Sequence, residues 1–459
     1  MKVLGFSFDY RAAQRKLTRA RRARSRRQRS LLLERLEDRR LLAAFSESDS
    51  TLNIDLTAAS ERVGIVSNGT SYSLTLDAPN VWSGIDTANV TGNGWNTLTV
   101  TAAGLAVFDT IMITDSSSGC AVDFNNSGTN AYSDDFTMVL DASPAGQITF
   151  HGASAFGASN LSASTTANIV VSTGAGVTAG SGSVTLTADS MDIEGTIAAD
   201  GGITLQPWTP SRTIGLSDAA GEFNLTVAEL ANLSSTGTVV IGRSGGTGAI
   251  TIGSTAAVSL SAEDYSLTLR GGDLAFSRYL ELPPGKTVTL QTGRITSAAS
   301  GVDITAGAVV LDAGGTVGAG NNPLALAVDT LQGTVNGNLF LRESDSLTIS
   351  GPLSAAANTI QLESGTFALG ASNLLDDASR LYILGAGSPA TLALGDSSDT
   401  VAGVTLGSAT TIGNISGSPA AALTILSDFQ LQRGTISARL AESEFAAPVG
   451  IVKTTSGTV

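Results

Sequence analysis

The chain has few side chains able to do chemistry. One histidine, His151, and one cysteine, Cys120, serve all 459 residues. A catalytic triad would need His151, and the two residues together cannot build a typical zinc site. His151 follows the strand-like run Ile148 to Phe150 and reads as a surface or turn residue. Cys120, in SSSGCAVDF, reads as a small hydrophobe at a strand start, because a nucleophilic thiol needs a partner base or a depressed pKa. With a single cysteine, no intrachain disulfide can form.

Carboxylates are the remaining reactive groups. Polysaccharide lyases and glycosidases need two positioned acids, or a calcium ion with a basic residue. Beyond residue 45 the adjacent acidic pairs are Asp134/Asp135, Asp376/Asp377 and Glu263/Asp264. Neighbours on a strand point to opposite faces, so adjacency alone does not bring two acids together. Asp134/Asp135 and the NLLDDASR phrase around Asp376 read as turns. Neither the calcium nonapeptide GGxGxDxUx nor an EF-hand loop occurs, and LDAGGTVGAGNN, residues 311–322, offers a single Asp. GRSGGTG, residues 242–248, lacks the Gly-Lys-Ser/Thr ending and following helix of a phosphate loop and reads as a turn. No catalytic, cofactor-binding or metal-ligating residue is nominated, and the chain is expected not to be an enzyme.

The elements that would position any site are short strands. From about residue 165 apolar pieces recur between turn formers: Val184–Thr187, Ile203–Leu205, Asn224–Val227, Val239–Ile241, Ile250–Ile252, Leu267–Leu269, Val288–Leu290, Val309–Leu311, Leu324–Val328, Leu339–Leu341, Leu347–Ile349, Ile360–Leu362 and Leu423–Leu426. Spacings of mostly about 8 to 15 residues and alternations such as Val-Thr-Leu-Thr indicate half-buried strands. Hydrophobic content of 42% is too high for a disordered chain, while 5% aromatic residues favour stacked aliphatic strands over a large aromatic interior. Sandwich domains want longer strands, aromatic anchors and linkers. The pattern therefore predicts an all-β solenoid, with Leu, Val and Ile inward, Ser and Thr outward, and Gly or Asn at corners. At roughly 20 residues per coil and about 4.8 Å per stacked strand, residues 165–459 would form on the order of 15 coils and about 70 Å of rod. Residues 45–164 read as a cap plus early coils, or as a small β domain, with candidate strands Tyr72–Leu76, Leu98–Thr101 and Ile111–Thr114. A short helical turn is expected around Glu229.

Charge divides the chain. Residues 1–44 hold 14 of the 26 Lys and Arg and four acids, a balance of +10, which leaves −24 on residues 45–459. An acidic body is a poor partner for nucleic acid, which is bound by clustered cations. No apolar run is long enough for a membrane-spanning helix, and no conventional signal-peptide core follows the basic residues. The head is expected to be disordered or short-helical.

The stretch Leu36, Glu37, Asp38, Arg39, Arg40, Leu41, Leu42 resembles the LEPR-XLL segment of very large planctomycete-type surface proteins, with Asp38 where that motif has Pro. Leu36, Glu37, Arg39, Leu41 and Leu42 carry the match, which implies a sorting or export segment recognised by export machinery. Residues 221–253, GEFNLTVAELANLSSTGTVVIGRSGGTGAITIG, and 322–349 resemble units of filamentous-haemagglutinin-like and autotransporter-passenger-like β-helices. That resemblance, covering residues 165–459, implies a right-handed parallel β-helix that is secreted or cell-surface, outer membrane-associated, and of adhesive or structural use. GIVKTTSGTV, residues 450–459, resembles the opening of an autotransporter Lys-Thr-Gly-x-Gly-Thr-Leu repeat, so the solenoid is expected to continue in a longer protein.

The first functional expectation is a non-enzymatic stalk or adhesin whose partners are surface glycans or other cell-surface proteins. The second is a carbohydrate-active β-helix enzyme, which would need acids converging on one lateral groove with aromatic residues nearby. The third is a cytosolic protein whose basic head binds nucleic acid.

Overall fold

The structure is a computed structural model that describes residues 42–126, 131–144, 146–297, 301–442 and 451–453. The protein is 53% strand and 2% helix and forms a parallel β-solenoid of about 14 turns. The basic head, including Leu36, Glu37, Arg39 and Leu41, lies outside the described residues. Leu42 is where the first strand, Leu42–Ser48, begins. Among the described residues no helix is long and apolar enough to cross a membrane.

The rod is held together by ladders of like residues in register. One inward ladder runs Leu161, Val184, Ile203, Val239, Leu267, Val288, Val309 and Leu331, each paired in parallel with the next. All of these are buried. One residue along, Ser162, Thr185 and Thr204 form an outward ladder. A single coil cannot hide its apolar face, so stability comes from the stack. Each long apolar strand residue that is fully buried contributes on the order of 1.5–3 kcal/mol, which is why every turn repeats the same pattern.

The first turn is covered by antiparallel hairpins. Strand Leu42–Ser48 folds back on Thr51–Leu56, and Arg62–Ser67 on Tyr72–Leu76. The inner strand of each hairpin then pairs in parallel with the next coil, through Leu52 to Ile111 and Val63 to Val122. The hairpins occupy backbone groups that would otherwise form an open edge.

The strands expected from residue 184 onward are present, with two corrections at their ends. The piece expected at Leu423–Leu426 stops at Ile425. The piece expected at Asn224–Val227 stops at Leu225, because Thr226 caps a helical turn at Val227–Ala231. Thr226 Oγ1 accepts from Glu229 N at 3.2 Å and the Glu229 carboxylate accepts from Thr226 N at 2.8 Å. This capping box satisfies amide groups at a helix start and explains why the turn expected around Glu229 forms. Aromatic residues are also less dispersed than their scarcity suggested: Tyr72, Phe124, Tyr132, Phe136, Phe150 and Phe156 pack together in the first turns.

Some corners depend on glycine. Gly242 has φ +91°, and a Cβ there would lie 1.9 Å from the carbonyl oxygen of Arg270 in the next coil. Gly242→Ala is expected to lower stability by at least about 2 kcal/mol in urea unfolding. At Gly314 the nearest atom to an added Cβ is 3.7 Å away, and Gly314→Ala should stay within about 0.5 kcal/mol of the parent.

Candidate functional site

Most acids on the rod are structural. Asp115 Oδ1 accepts from the amides of Asp141 and Ala142 at 2.9 and 3.1 Å, Asp189 Oδ1 from Thr209 at 2.7 Å, and Asp399 Oδ2 from Leu374 and Leu375 at 2.8 and 3.1 Å. Each carboxylate thereby ties one coil to its neighbour. Burial raises the pKa of Asp115 and Asp399, while the Thr255 hydroxyl and amide hold exposed Asp218 well below the usual range. A carboxylate that accepts several N–H groups is a strong turn clamp.

The residues singled out in the sequence do not converge. Cys120 is buried just before the strand Ala121–Phe124, its thiol pushed up to about 11, chiefly by burial, which suits a hydrophobe and not a nucleophile. His151 follows its strand as expected, but Nε2 is 3.2 Å from Oδ1 of the buried Asp123, which also takes Arg62 Nη2 at 2.8 Å. Of the expected turn pair, Asp134 lies in a bend, whereas Asp135 already starts a strand. Asp134 is buried and accepts the Tyr72 hydroxyl, because the chain enters the strand Asp135–Leu140 over the aromatic cluster. Asp376 accepts from Ala357 N and Ser379 Oγ, a coil clamp of the kind just described. Among the described residues no group of three or more His, Cys, Asp or Glu could hold a metal ion.

Among the described residues two concavities stand out, and neither centres on His151, Cys120 or an adjacent acidic pair. The first, about 390 Å³, is lined by residues of successive coils, among them Leu326, Arg342, Glu343 and Thr366. An aliphatic ladder runs Leu280, Ile304, Leu326, and the next position in register is Glu343. Its side chain is inward and 1% exposed. Oε1 accepts from Ser344 N at 3.0 Å, whereas Oε2 is buried without a donor. Burial, and then the neighbouring Asp345 carboxylate, raise its pKa to about 8. A hydrogen bond between these two carboxyl groups exists only while a proton sits between them. Arg342 on the rim donates to Gly301 O at 2.8 Å and its charge favours ionised Asp303 and Glu363, both of which burial raises. Asp303 and Glu363 are themselves engaged, Asp303 by Ala325 N at 2.8 Å and Glu363 by Gln361 Nε2 at 2.7 Å. The alternation in LFLRE was the sequence sign: Leu339, Leu341 and Glu343 must share one face.

The second concavity is a polar groove of about 650 Å³ continuous with a smaller one of about 290 Å³. It crosses successive coils at a corner and joins the two glycine-rich phrases at residues 242–248 and 311–322. Arg270, Gln291 and Asp312 stand at paired positions of three coils. Arg270 Nε donates to Gln291 Oε1 at 2.6 Å, and Gln291 Nε2 to Asp312 Oδ2 at 3.3 Å. Arg243 donates to the carbonyl oxygens of Trp208 and Pro207. The floor is glycine because a Cβ at Gly272 would lie 2.4 Å from Thr247 O and one at Gly271 2.9 Å from Gly248 O.

The fold and these grooves define a class: an acidic parallel β-solenoid with a hairpin cap and polar lateral grooves. Compared with known proteins, the chain matches no protein-family model, no curated protein and no solved structure.

Proposed function

We propose that the protein is a non-enzymatic, secreted or cell-surface β-solenoid that serves as a structural stalk or adhesin, with the LEPR-XLL-like segment as its export or sorting signal. The observation that carries this reading is the stacking of in-register apolar ladders from coil to coil along one axis, with hydroxyl residues outward. About 14 turns at about 4.8 Å give a rod on the order of 65 Å, a shape suited to spacing and to repeated lateral contacts. The acidic outer surface keeps such rods from associating with one another or with anionic lipid.

The carbohydrate-active reading is the weaker one. Glu343 offers a protonated carboxyl at a groove, but Asp303 and Glu363 are held by protein donors and no aromatic side chain lines that groove. Protease treatment of intact cells tests the main reading: the body should be degraded at the surface, and deletion of residues 36–42 should leave it inside. Protection of the intact protein in whole cells that are lysed only afterwards would overturn it.

A further inference from the structure

The glycine-floored groove has properties that coil stacking does not require. Residues 45–459 carry an excess of 24 negative charges, so an arginine has many acids to pair with. Among the described residues the ion pairs go to Arg62, His151, Arg212, Lys286 and Arg380; Arg243 and Arg270 are among several arginines that make none, and they are the two that line this groove. Their acceptors are neutral: two backbone carbonyls for Arg243 and the Gln291 amide for Arg270. A guanidinium has five N–H donors in a planar fork, so both residues, which line the groove, have more donors than these bonds use. Thr292 lines the same groove, is 6% exposed, and has Oγ1 without a partner.

The dimensions favour a chain over a single small molecule. Arg270, Gln291 and Asp312 are one coil apart, so the row spans about 10 Å of backbone, and Arg243, beside Gly242 in the preceding coil, lengthens it by about 5 Å. Cationic forks at one end, an acceptor carboxylate at the other and bare peptide between them suit a ligand carrying both carboxylates and hydroxyls. Glycine corners leave no side chain to obstruct a chain lying along the axis. At physiological ionic strength the repulsion from distant acids is screened beyond about 8 Å, whereas contacts inside the groove are not.

We propose that this groove binds a short stretch of acidic polysaccharide along the rod axis, its carboxylates held by Arg243 and Arg270 and its hydroxyls by Asp312, Gln291 and the exposed peptide groups. The inference deepens the adhesive reading by naming its ligand class, and it rests on that reading only for its biological setting.

The test is calorimetric titration of the purified full chain, at physiological ionic strength, with a galacturonic acid hexamer and with its methyl-esterified, neutral form. A sulfated hexamer distinguishes carboxylate from sulfate as the recognised anion. The acid hexamer should bind about tenfold or more tightly than the ester, since charge-assisted hydrogen bonds are lost with the ester. The double variant Arg243→Gln/Arg270→Gln should bind the acid hexamer about tenfold more weakly than the parent, leaving only the preference that the basic head supplies. Gly314→Tyr, whose Cβ meets nothing closer than 3.7 Å, should block the groove and weaken acid-hexamer binding by a similar factor without touching the arginines or the fold. The basic head is the same in all three proteins and contributes equally. Equal binding of the acid hexamer by all three proteins, preference for the neutral hexamer, or stronger binding of an acidic peptide with the same sensitivity to the variants would each overturn the proposal. A surface-exposed protein that binds no hexamer would leave the stalk standing without this ligand. A protein retained inside cells that still binds through the groove would do the reverse.

Discussion

Phe124→Ala is expected to destabilise the amino-terminal turns by about 3–5 kcal/mol and to uncouple them from the rest of the rod. Phe124 is fully buried and stacks on Phe150 with ring centroids 4.8 Å apart. It also meets Tyr132, Phe136 and Phe156 at 5.6, 5.7 and 5.9 Å. Such ring pairs add about 0.5–1.5 kcal/mol each beyond burial, and truncation leaves a cavity that rigid strands cannot close. In a stack stabilised by nearest neighbours the damage should remain local. The reporters are well placed: Trp82 is fully buried in the cap, while Trp208 lies in the middle of the rod. Urea unfolding followed by fluorescence, with Trp95→Phe to remove the exposed cap tryptophan, should show the Trp82 transition moving to lower denaturant while that of Trp208 holds. A shift of both together, or of less than about 1 kcal/mol, would show that the cluster is not what joins cap to coils.

The second large effect depends on pH. Glu343 has an ordinary carboxyl pKa of 4.5 in the unfolded chain and about 8 in the fold, raised by burial and then by Asp345. The folded state therefore holds the proton more tightly. The stability this contributes is fully present below pH 4.5 and is lost as pH rises through about 8. Glu343→Gln should keep the acceptor for Ser344 N and give Asp345 an N–H donor that does not titrate. The variant is expected to be close to the parent at pH 5 and more stable by about 2–4 kcal/mol at pH 9, measured by urea unfolding at the two values. Parallel loss of stability by both proteins between these values would rule out Glu343 as the group responsible.

These two residues also mark how far the sequence could be read. Each strand piece such as VTLT or LFL states its own inward face by alternation, so an all-β chain with buried Leu, Val and Ile follows from local pattern. The same rule put Glu343 beside Leu339 and Leu341, but only parallel pairing revealed that its neighbour one coil back is Leu326. Phe124 and Phe150 are far apart in sequence and nothing local says that they stack; the register between two coils does. The groove is a sharper case. GRSGGTG at 242–248 and LDAGGTVGAGNN at 311–322 are each incomplete as ligand motifs. Stacking at a common corner then turned two uninformative turns into one surface.

By itself, then, the amino-acid order determined strand content, inward and outward faces, the contrast between a basic head and an acidic body, and the poverty of His and Cys. All of these are properties of single residues or of neighbours along the chain, where alternation and composition act directly. Which coil lies against which, where the hairpins fold over the first turn, which arginines find no carboxylate and which carboxyl is trapped in an aliphatic ladder were settled only by tertiary structure. The reason is that each depends on the number of residues spent in every corner, and one residue more or less per turn slides a whole column of side chains past its neighbour.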